Sequence, residues 1–203
     1  MTSAKKVLTA AAAALAMGLG AGSAMAAVVI NVTEVGGDVV FAASGSLDLT
    51  GAIGAGSYSS YGRGFISGGS NWYVAPGPGG ATNAYAFTSF DGPFGTSGSF
   101  VTPPTSSSGD DFFIWGNGGG TAQVGLDINY VSGGAISSGM VFGSATIAGL
   151  NMTAGTYFYR LPNDVVVLNI GGGTIPEPAS LGLVALALAG VGFSARRKQI
   201  RTA

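Results

Sequence analysis

The stretch that decides the fold is AVVINVTEVGGDVVFAA, at residues 27–43. Its first half alternates apolar residues with Asn31 and Thr33, which is the period-2 pattern of a half-buried strand. Gly36-Gly37 is a two-residue hairpin signal, and the apolar run that follows it predicts the returning strand. The opening of the body is therefore predicted to be a β-hairpin.

We call residues 27–174 the body. After the hairpin, its sequence consists of short apolar or alternating segments separated by turn residues. No convincing helix lies between residues 27 and 174, and about ten short strands favour an all-β antiparallel β-sandwich of jelly-roll type, or a related closed antiparallel sheet. A Gly-rich parallel solenoid is the rival architecture, although no fixed-period repeat supports it. Residues 75–83 and 91–111 are predicted as long loops. Beyond the hairpin, strands are predicted within 47–49, 65–66, 72–74, 85–90, 111–115, 124–131, 140–142, 145–147, 156–160 and 165–170.

Charge is distributed unevenly along the chain. The 203 residues carry a formal net charge of −1, but six of the eight basic residues lie near the two ends. Between residues 27 and 174 only Arg63 and Arg160 are basic, against eight acidic residues, so this body has a net charge of −6 and no lysine. A nucleic-acid partner is excluded, because phosphate backbones are held by clustered Lys and Arg.

The chain contains no His and no Cys. The absence of His excludes a Ser-His triad and a His-ligated metal. The absence of Cys excludes disulfides, a thiolate nucleophile and a zinc finger. No cofactor, metal ion or catalytic residue is predicted.

Residues 1–26 have the three parts of a secretory signal. Lys5 and Lys6 form a basic start, an apolar Ala-rich stretch follows, and Ala24-Met25-Ala26 offers small residues to a signal peptidase. Cleavage would leave Ala27 as the new N-terminus. The alternative is a retained anchor, but the apolar stretch is too short to cross a bilayer core of about 30 Å.

Residues 175–203 combine a proline motif, a short apolar helix and a basic run. Pro176-Glu177-Pro178 precedes a transmembrane helix predicted over 179–195, and Arg196-Arg197-Lys198 follows it. The prolines make a stiff extended segment at the membrane surface. The basic run predicts a cytoplasmic end, so the body of residues 27–174 is expected on the other side of that membrane.

This three-part tail resembles the PEP-CTERM sorting signal of Gram-negative bacteria. The resemblance implies recognition by exosortase, a membrane-embedded cysteine transpeptidase, and processing near Pro176, Glu177 and Pro178. It also implies that Arg196, Arg197 and Lys198 act as the basic stop. The protein would be anchored transiently in the inner membrane and then reach the cell surface or an extracellular exopolysaccharide matrix. The tail departs from the pattern only in continuing through residues 199–203.

The body carries a less specific resemblance to a recurrent exported domain of PEP-CTERM proteins. It rests on residues 34–40, 45–51, 130–133 and 154–159. This resemblance implies an exported β-rich domain and names no ligand.

Three aromatic residues are candidates for a carbohydrate-binding site. Trp72, Tyr73 and Trp115 stand beside Asn71 and Asn117, and flat rings with amide hydrogen bonds suit sugar stacking. Such a site requires both tryptophans exposed on one face of a sheet. The alternative is that these rings pack in the core.

Asp110-Asp111 is the only pair of adjacent acidic residues. One hypothesis is that the pair contributes ligands to a Ca²⁺ ion. Another is that it forms part of a hydrolase site together with Asp127. The alternative is a loop before a strand, with the two carboxylates pointing apart.

The sequence therefore predicts a non-catalytic exported protein, sorted by exosortase after signal peptidase removes residues 1–26, with exopolysaccharide as a further candidate partner. The alternative is a secreted carbohydrate-binding module or a carbohydrate-active enzyme that acts on exopolysaccharide.

Overall fold

The computed structural model of the chain describes residues 27–66, 68, 71–96 and 102–172, and these residues form two β-sheets. One sheet has seven strands in the order β7-β12-β13-β1-β2-β11-β8, and the other has six in the order β3-β6-β10-β9-β5-β4. In chain order the strands are β1 (Ala27–Val35), β2 (Asp38–Ser46), β3 (Gly54–Tyr58), β4 (Gly64–Ile66), β5 (Asn71–Ala75), β6 (Thr82–Ala86), β7 (Ser89–Phe90), β8 (Ser106–Gly109), β9 (Phe112–Asn117), β10 (Ala122–Asp127), β11 (Ala135–Phe142), β12 (Gly155–Arg160) and β13 (Val165–Ile170).

The opening hairpin forms as predicted. Strands β1 and β2 pair antiparallel, from Val28 opposite Gly45 to Val35 opposite Asp38. Gly36 and Gly37 occupy the turn with φ of 62° and 92°, which is the left-handed region that a type I′ turn requires at both central positions. Only glycine adopts this conformation without steric cost, so the turn fixes the register of the hairpin.

The prediction of a purely antiparallel arrangement is wrong at one place. Strand β13 pairs with β1 in parallel, from Val165 opposite Ala27 to Ile170 opposite Val32. Every other described strand pair is antiparallel, which also separates the fold from a parallel solenoid. A parallel pair needs a long crossover, and here almost the whole body provides it. The first and last strands of the described body thus lie side by side.

Both sheets contribute to one hydrophobic core. Phe41 of β2 stacks on Phe65 of β4 with ring centroids 5.8 Å apart. Trp72 of β5 packs against Tyr159 of β12 at 4.9 Å. These contacts join the seven-stranded sheet to the six-stranded sheet, and the same cluster includes the inward residues of β1, β9, β10 and β13. Burial of these apolar side chains supplies the main stabilisation of the fold.

Several predicted boundaries differ from the structure. The segments 47–49 and 145–147 are not strands, the predicted strand over 85–90 divides into β6 and β7, and β10 ends at Asp127. Strand β8 lies inside the predicted loop 91–111 and pairs with β11. It consists of three serines and a glycine, which have little intrinsic strand preference, so its pairing depends on its neighbour rather than on its composition.

None of the described residues forms a helix, and none of them belongs to a helix long and apolar enough to span a membrane. The signal segment 1–26 and the transmembrane helix predicted over 179–195 lie outside the described residues.

Candidate functional site

The predicted sorting residues lie outside the described part of the chain, beyond Gly172. The structure places the point at which the chain leaves the body, since β13 ends at Ile170 and the Gly171 amide donates to the carbonyl oxygen of Val32 at 2.9 Å. The residues concerned are Pro176, Glu177 and Pro178 of the sorting motif, and Arg196, Arg197 and Lys198 of the basic stop.

Trp72 is a core residue, so the predicted three-ring carbohydrate platform does not form. Its side chain is 2% exposed and packs against Tyr159 and Phe90 of the opposite sheet. Its cross-strand neighbour is Gly116, and a Cβ at that position would lie 2.1 Å from the indole ring. The absence of a side chain there lets the indole lie flat across β9. Trp115 occupies the other face of the same strand, because successive side chains alternate.

Tyr73 and Trp115 face outward and lie directly opposite each other on β5 and β9. Tyr73 is 8% exposed, while Trp115 is half-buried. Around them is a second, smaller apolar cluster on the outer face of the six-stranded sheet, which we call the outer cluster. It consists of Tyr73, Ala75, Ala84 and Phe113, with Tyr61 and Trp115 packed against them.

Tyr58 lies next to the outer cluster and is 39% exposed. The ring of Tyr58 meets Phe113 edge to face, with centroids 5.6 Å apart. The Gln123 side-chain amide donates to the Tyr58 hydroxyl at 2.5 Å. Tyr58 and Trp115 therefore present rings on the outer face, whereas the Gln123 amide on this face is only 4% exposed and is bonded to Tyr58. Sequence alternation alone does not distinguish this face from the core face, since both carry aromatic residues.

Asp111 forms hydrogen bonds with the glycine-rich turn at residues 77–80, which lies beside Tyr61 of the outer cluster. One of its carboxylate oxygens accepts hydrogen bonds from the Gly79 and Gly80 amides, at 3.0 and 2.8 Å. The Tyr61 hydroxyl donates to the same oxygen at 3.3 Å and accepts from the Phe112 amide at 2.8 Å. Burial, reinforced by the negative charge of Asp111, raises the pKa of Tyr61, so this hydroxyl keeps its proton at alkaline pH where an exposed tyrosine would lose it.

Three of the acidic residues line a common groove of about 250 Å³ beside β11. Asp110 accepts from the Ser137 amide at 2.7 Å, and Asp127 accepts from the Asn129 amide at 2.7 Å. Asp111 is already bonded to the glycine turn, so Asp110 and Asp111 point to different partners. Among the described residues, no group of three or more His, Cys, Asp or Glu side chains is arranged to hold a metal ion. The carboxylates of Asp110, Asp111 and Asp127 thus act as hydrogen-bond acceptors for backbone amides.

Asp164 is a buried acid that sequence reasoning missed. Its side chain is 2% exposed, and its two carboxylate oxygens accept hydrogen bonds from the Asp48 amide at 2.6 Å and the Val165 amide at 2.8 Å. Burial raises the pKa of Asp164, because desolvation disfavours the charged form. Its only sequence signal is its place at the end of Leu161-Pro162-Asn163-Asp164, a turn-type sequence between the predicted strands 156–160 and 165–170. The contact with Asp48 joins that turn to the segment after β2.

Comparison with known proteins bears on the tail. Residues 174–198 match the family model of the PEP-CTERM protein-sorting motif. No curated protein and no solved structure matches the chain. The matched residues include the whole proline motif, the predicted membrane helix and the basic run, as the sequence predicted. The chain therefore carries a PEP-CTERM protein-sorting motif, which makes it a PEP-CTERM domain-containing protein.

Proposed function

We propose that this chain is a non-catalytic exported protein whose body is a β-sandwich delivered to the cell surface or the extracellular matrix. The single observation that carries the proposal is the PEP-CTERM match over residues 174–198, which implies export, transient membrane anchoring through the tail and exosortase processing. The signal peptide predicted over 1–26 supports the same route.

The use of the acidic residues supports a structural rather than a catalytic body. Asp110, Asp111, Asp127 and Asp164 each accept hydrogen bonds from backbone amides. A hydrolase that uses two carboxylates needs one of them free to protonate a leaving group and the other free to act as base or nucleophile. Carboxylates committed to turns are better suited to holding loops in place.

Processing in cells tests the sorting proposal. We expect Glu177→Ala, within the proline motif, to accumulate as unprocessed precursor in the membrane fraction. Gln199→Ala lies beyond the matched residues and is the matched control, which should be processed like the wild type. Mass spectrometry of the released protein then identifies both ends. An intact tail in released protein, or an unchanged distribution when exosortase is deleted, would contradict the proposal.

The outer cluster favours glycan binding as a second candidate function. Its specific observation is that the half-buried Trp115 and the 39% exposed Tyr58 both lie on the outer face of the six-stranded sheet. We expect Trp115→Ala to weaken retention of the mature protein on exopolysaccharide from the producing cells. Phe158→Ala removes a ring that is 36% exposed on the other sheet and serves as the control. Equal retention of the two variants would refute this candidate.

A further inference from the structure

A buried carboxylate lies at the N-terminal end of β1. Asp164 is 2% exposed and directly precedes Val165, the residue of β13 that pairs with Ala27. One of its oxygens accepts a hydrogen bond from the Val165 amide at 2.8 Å. The other accepts from the Asp48 amide at 2.6 Å, and Asp48 lies two residues beyond Ser46, the last residue of β2. The carboxylate therefore joins the start of β13 to the segment that follows β2.

The strand order puts this carboxylate in line with β1. In the seven-stranded sheet β1 lies between β13 and β2. Neighbouring strands are about 4.8 Å apart, so β13 and β2 are about 10 Å apart. A carboxylate that bonds to amides on both sides of that interval crosses the end of β1. A Cβ on Gly45 would collide with the Ala27 carbonyl oxygen, so this end of β1 is packed closely against β2. The geometry puts the Ala27 nitrogen within about 5 Å of the Asp164 carboxylate.

The two arginines of the body have other partners. The Arg160 guanidinium lies over the Phe158 ring, 5.1 Å from its centroid. Arg63 donates to the Ser107 hydroxyl at 3.4 Å. Within the described part of the chain, the hydrogen-bond donors to Asp164 are neutral backbone amides. The buried negative charge of Asp164 is thus not balanced by a side chain of the described residues.

The other titratable groups near Asp164 do not supply a positive charge. Asp48 is itself acidic, and its carboxylate accepts from the Thr50 amide at 2.9 Å. Tyr130 is neutral and donates to the Leu47 carbonyl oxygen at 3.0 Å. Burial, with a smaller contribution from the charge of Asp48, raises the pKa of Asp164. A cation beside Asp164 would therefore be favoured, because it would offset both the desolvation and the repulsion.

Removal of the predicted signal creates a positive charge at the Ala27 nitrogen. In the precursor this nitrogen belongs to the neutral amide that joins Ala26 to Ala27. Signal peptidase adds one water across that bond, which leaves a carboxylate on Ala26 and an ammonium on Ala27 at neutral pH, with no change in total charge. The signal then departs with its carboxylate, and the ammonium stays at the end of β1.

We propose that the new α-ammonium group of Ala27 forms an ion pair with the Asp164 carboxylate in the mature protein. The inference rests on the signal cleavage that is part of the proposed function. It goes beyond that function because it gives the new N-terminus a structural role, in which removal of the signal completes this end of the seven-stranded sheet. In the uncleaved precursor Asp164 lacks this partner.

The amine of Ala27 can be measured selectively because the body contains no lysine. After signal removal, the α-amino group and Lys198 are the two primary amines that remain in the chain. The precursor is expressed with its own signal in a host that lacks exosortase, and the processed protein is purified in detergent with its tail. Trace acetylation with acetic anhydride is followed across neutral and alkaline pH. Mass spectrometry identifies the N-terminal peptide and quantifies its label, with Lys198 as the internal reference.

We expect the labelling midpoint of the Ala27 amine to lie at higher pH in the folded protein than in the same protein unfolded in urea. Labelling near neutral pH should be about tenfold slower in the folded protein, which corresponds to a midpoint about one pH unit higher. Steric shielding alone would lower the rate at every pH without moving the midpoint. Asp164→Asn should restore the midpoint of the unfolded chain. Asp38→Asn, at the other end of the β1–β2 hairpin, is the matched control and should leave the midpoint raised.

The wild-type comparison keeps the proposal falsifiable even if Asp164→Asn does not fold. Equal midpoints in folded and unfolded wild-type protein would overturn the ion pair, as would a raised midpoint that persists in folded Asp164→Asn protein. The mass of the N-terminal peptide separates the two levels of inference. A terminus other than Ala27 contradicts the predicted signal cleavage, and the ion pair falls with it. A terminus at Ala27 with an unshifted midpoint refutes the ion pair alone and leaves the sorting proposal intact.

Discussion

Tyr159 carries a buried hydroxyl whose removal should stabilise the protein. The side chain is fully buried in the core, and its hydroxyl has no hydrogen-bond partner within the described part of the chain. Its ring lies 4.9 Å from Trp72 and 5.7 Å from Phe87. Tyr159→Phe keeps these ring contacts and removes only the oxygen.

The size of the effect follows from the cost of an unpaired buried polar group. A buried donor without a partner costs about 1–3 kcal/mol. The small void left by the oxygen offsets part of the gain, so we expect the free energy of unfolding to rise by about 1 kcal/mol, from the difference of these terms. For an ordinary urea slope this moves the midpoint upward by about 0.5 M.

Tyr157 on the same strand is the matched control. Its hydroxyl donates to the Thr153 carbonyl at 3.1 Å, so Tyr157→Phe loses a hydrogen bond and should lower the midpoint by a similar amount. Urea unfolding of the mature protein is followed through tryptophan fluorescence, because Trp72 lies beside Tyr159. A lower midpoint for Tyr159→Phe would show that its hydroxyl is satisfied in solution and would refute the reasoning.

Three other changes test the packing and the electrostatics. Burial raises the pKa of both Tyr73 and Tyr159. Above pH 10 these two side chains lose their protons in the unfolded chain but keep them in the folded protein. The free energy of unfolding therefore falls as the pH rises. Tyr73→Phe should reduce that slope by about 1.4 kcal/mol per pH unit in alkaline urea titrations, and an unchanged slope would contradict the burial of this hydroxyl. Asp164→Ala leaves two backbone amides without their acceptor and should cost about 2 kcal/mol or more by thermal unfolding, whereas a neutral effect would show that water replaces the carboxylate. Gly116→Ala forces a Cβ against Trp72 and should destabilise by about 1–3 kcal/mol; unchanged stability and near-ultraviolet circular dichroism would show that the indole does not lie across β9.

The strand pattern and the tail were the parts of this protein most readable from sequence. The hairpin of residues 27–46 follows from local alternation and from two glycines in the turn, and both depend only on neighbouring residues. The sorting motif is likewise a local signal, because its parts follow one another along the chain. Strand β8 was missed because a Ser-rich edge strand is specified by its partner β11 and not by its own side chains.

The candidate sites were harder to predict from the sequence, because they depend on which face of each strand is buried. Alternation places Trp72 and Tyr73 on opposite faces of β5, but it does not say which face meets the other sheet. Strand pairing puts Tyr73 with Trp115 and Trp72 with Gly116, and the packing of Trp72 on Tyr159 of the other sheet decides which of the two faces is the core face. An apolar cluster on each side of the six-stranded sheet removes the usual contrast between a polar and an apolar face.

The sequence by itself determined an all-β acidic body and a PEP-CTERM tail, since composition, alternation and linear motifs require no knowledge of distant contacts. Tertiary structure alone decided the parallel pairing of β1 with β13, the contact of Asp164 with the segment after β2, and the end from which the tail emerges. These features join residues far apart in the chain. They are selected by the packing of two sheets around one core, and no local pattern encodes that choice.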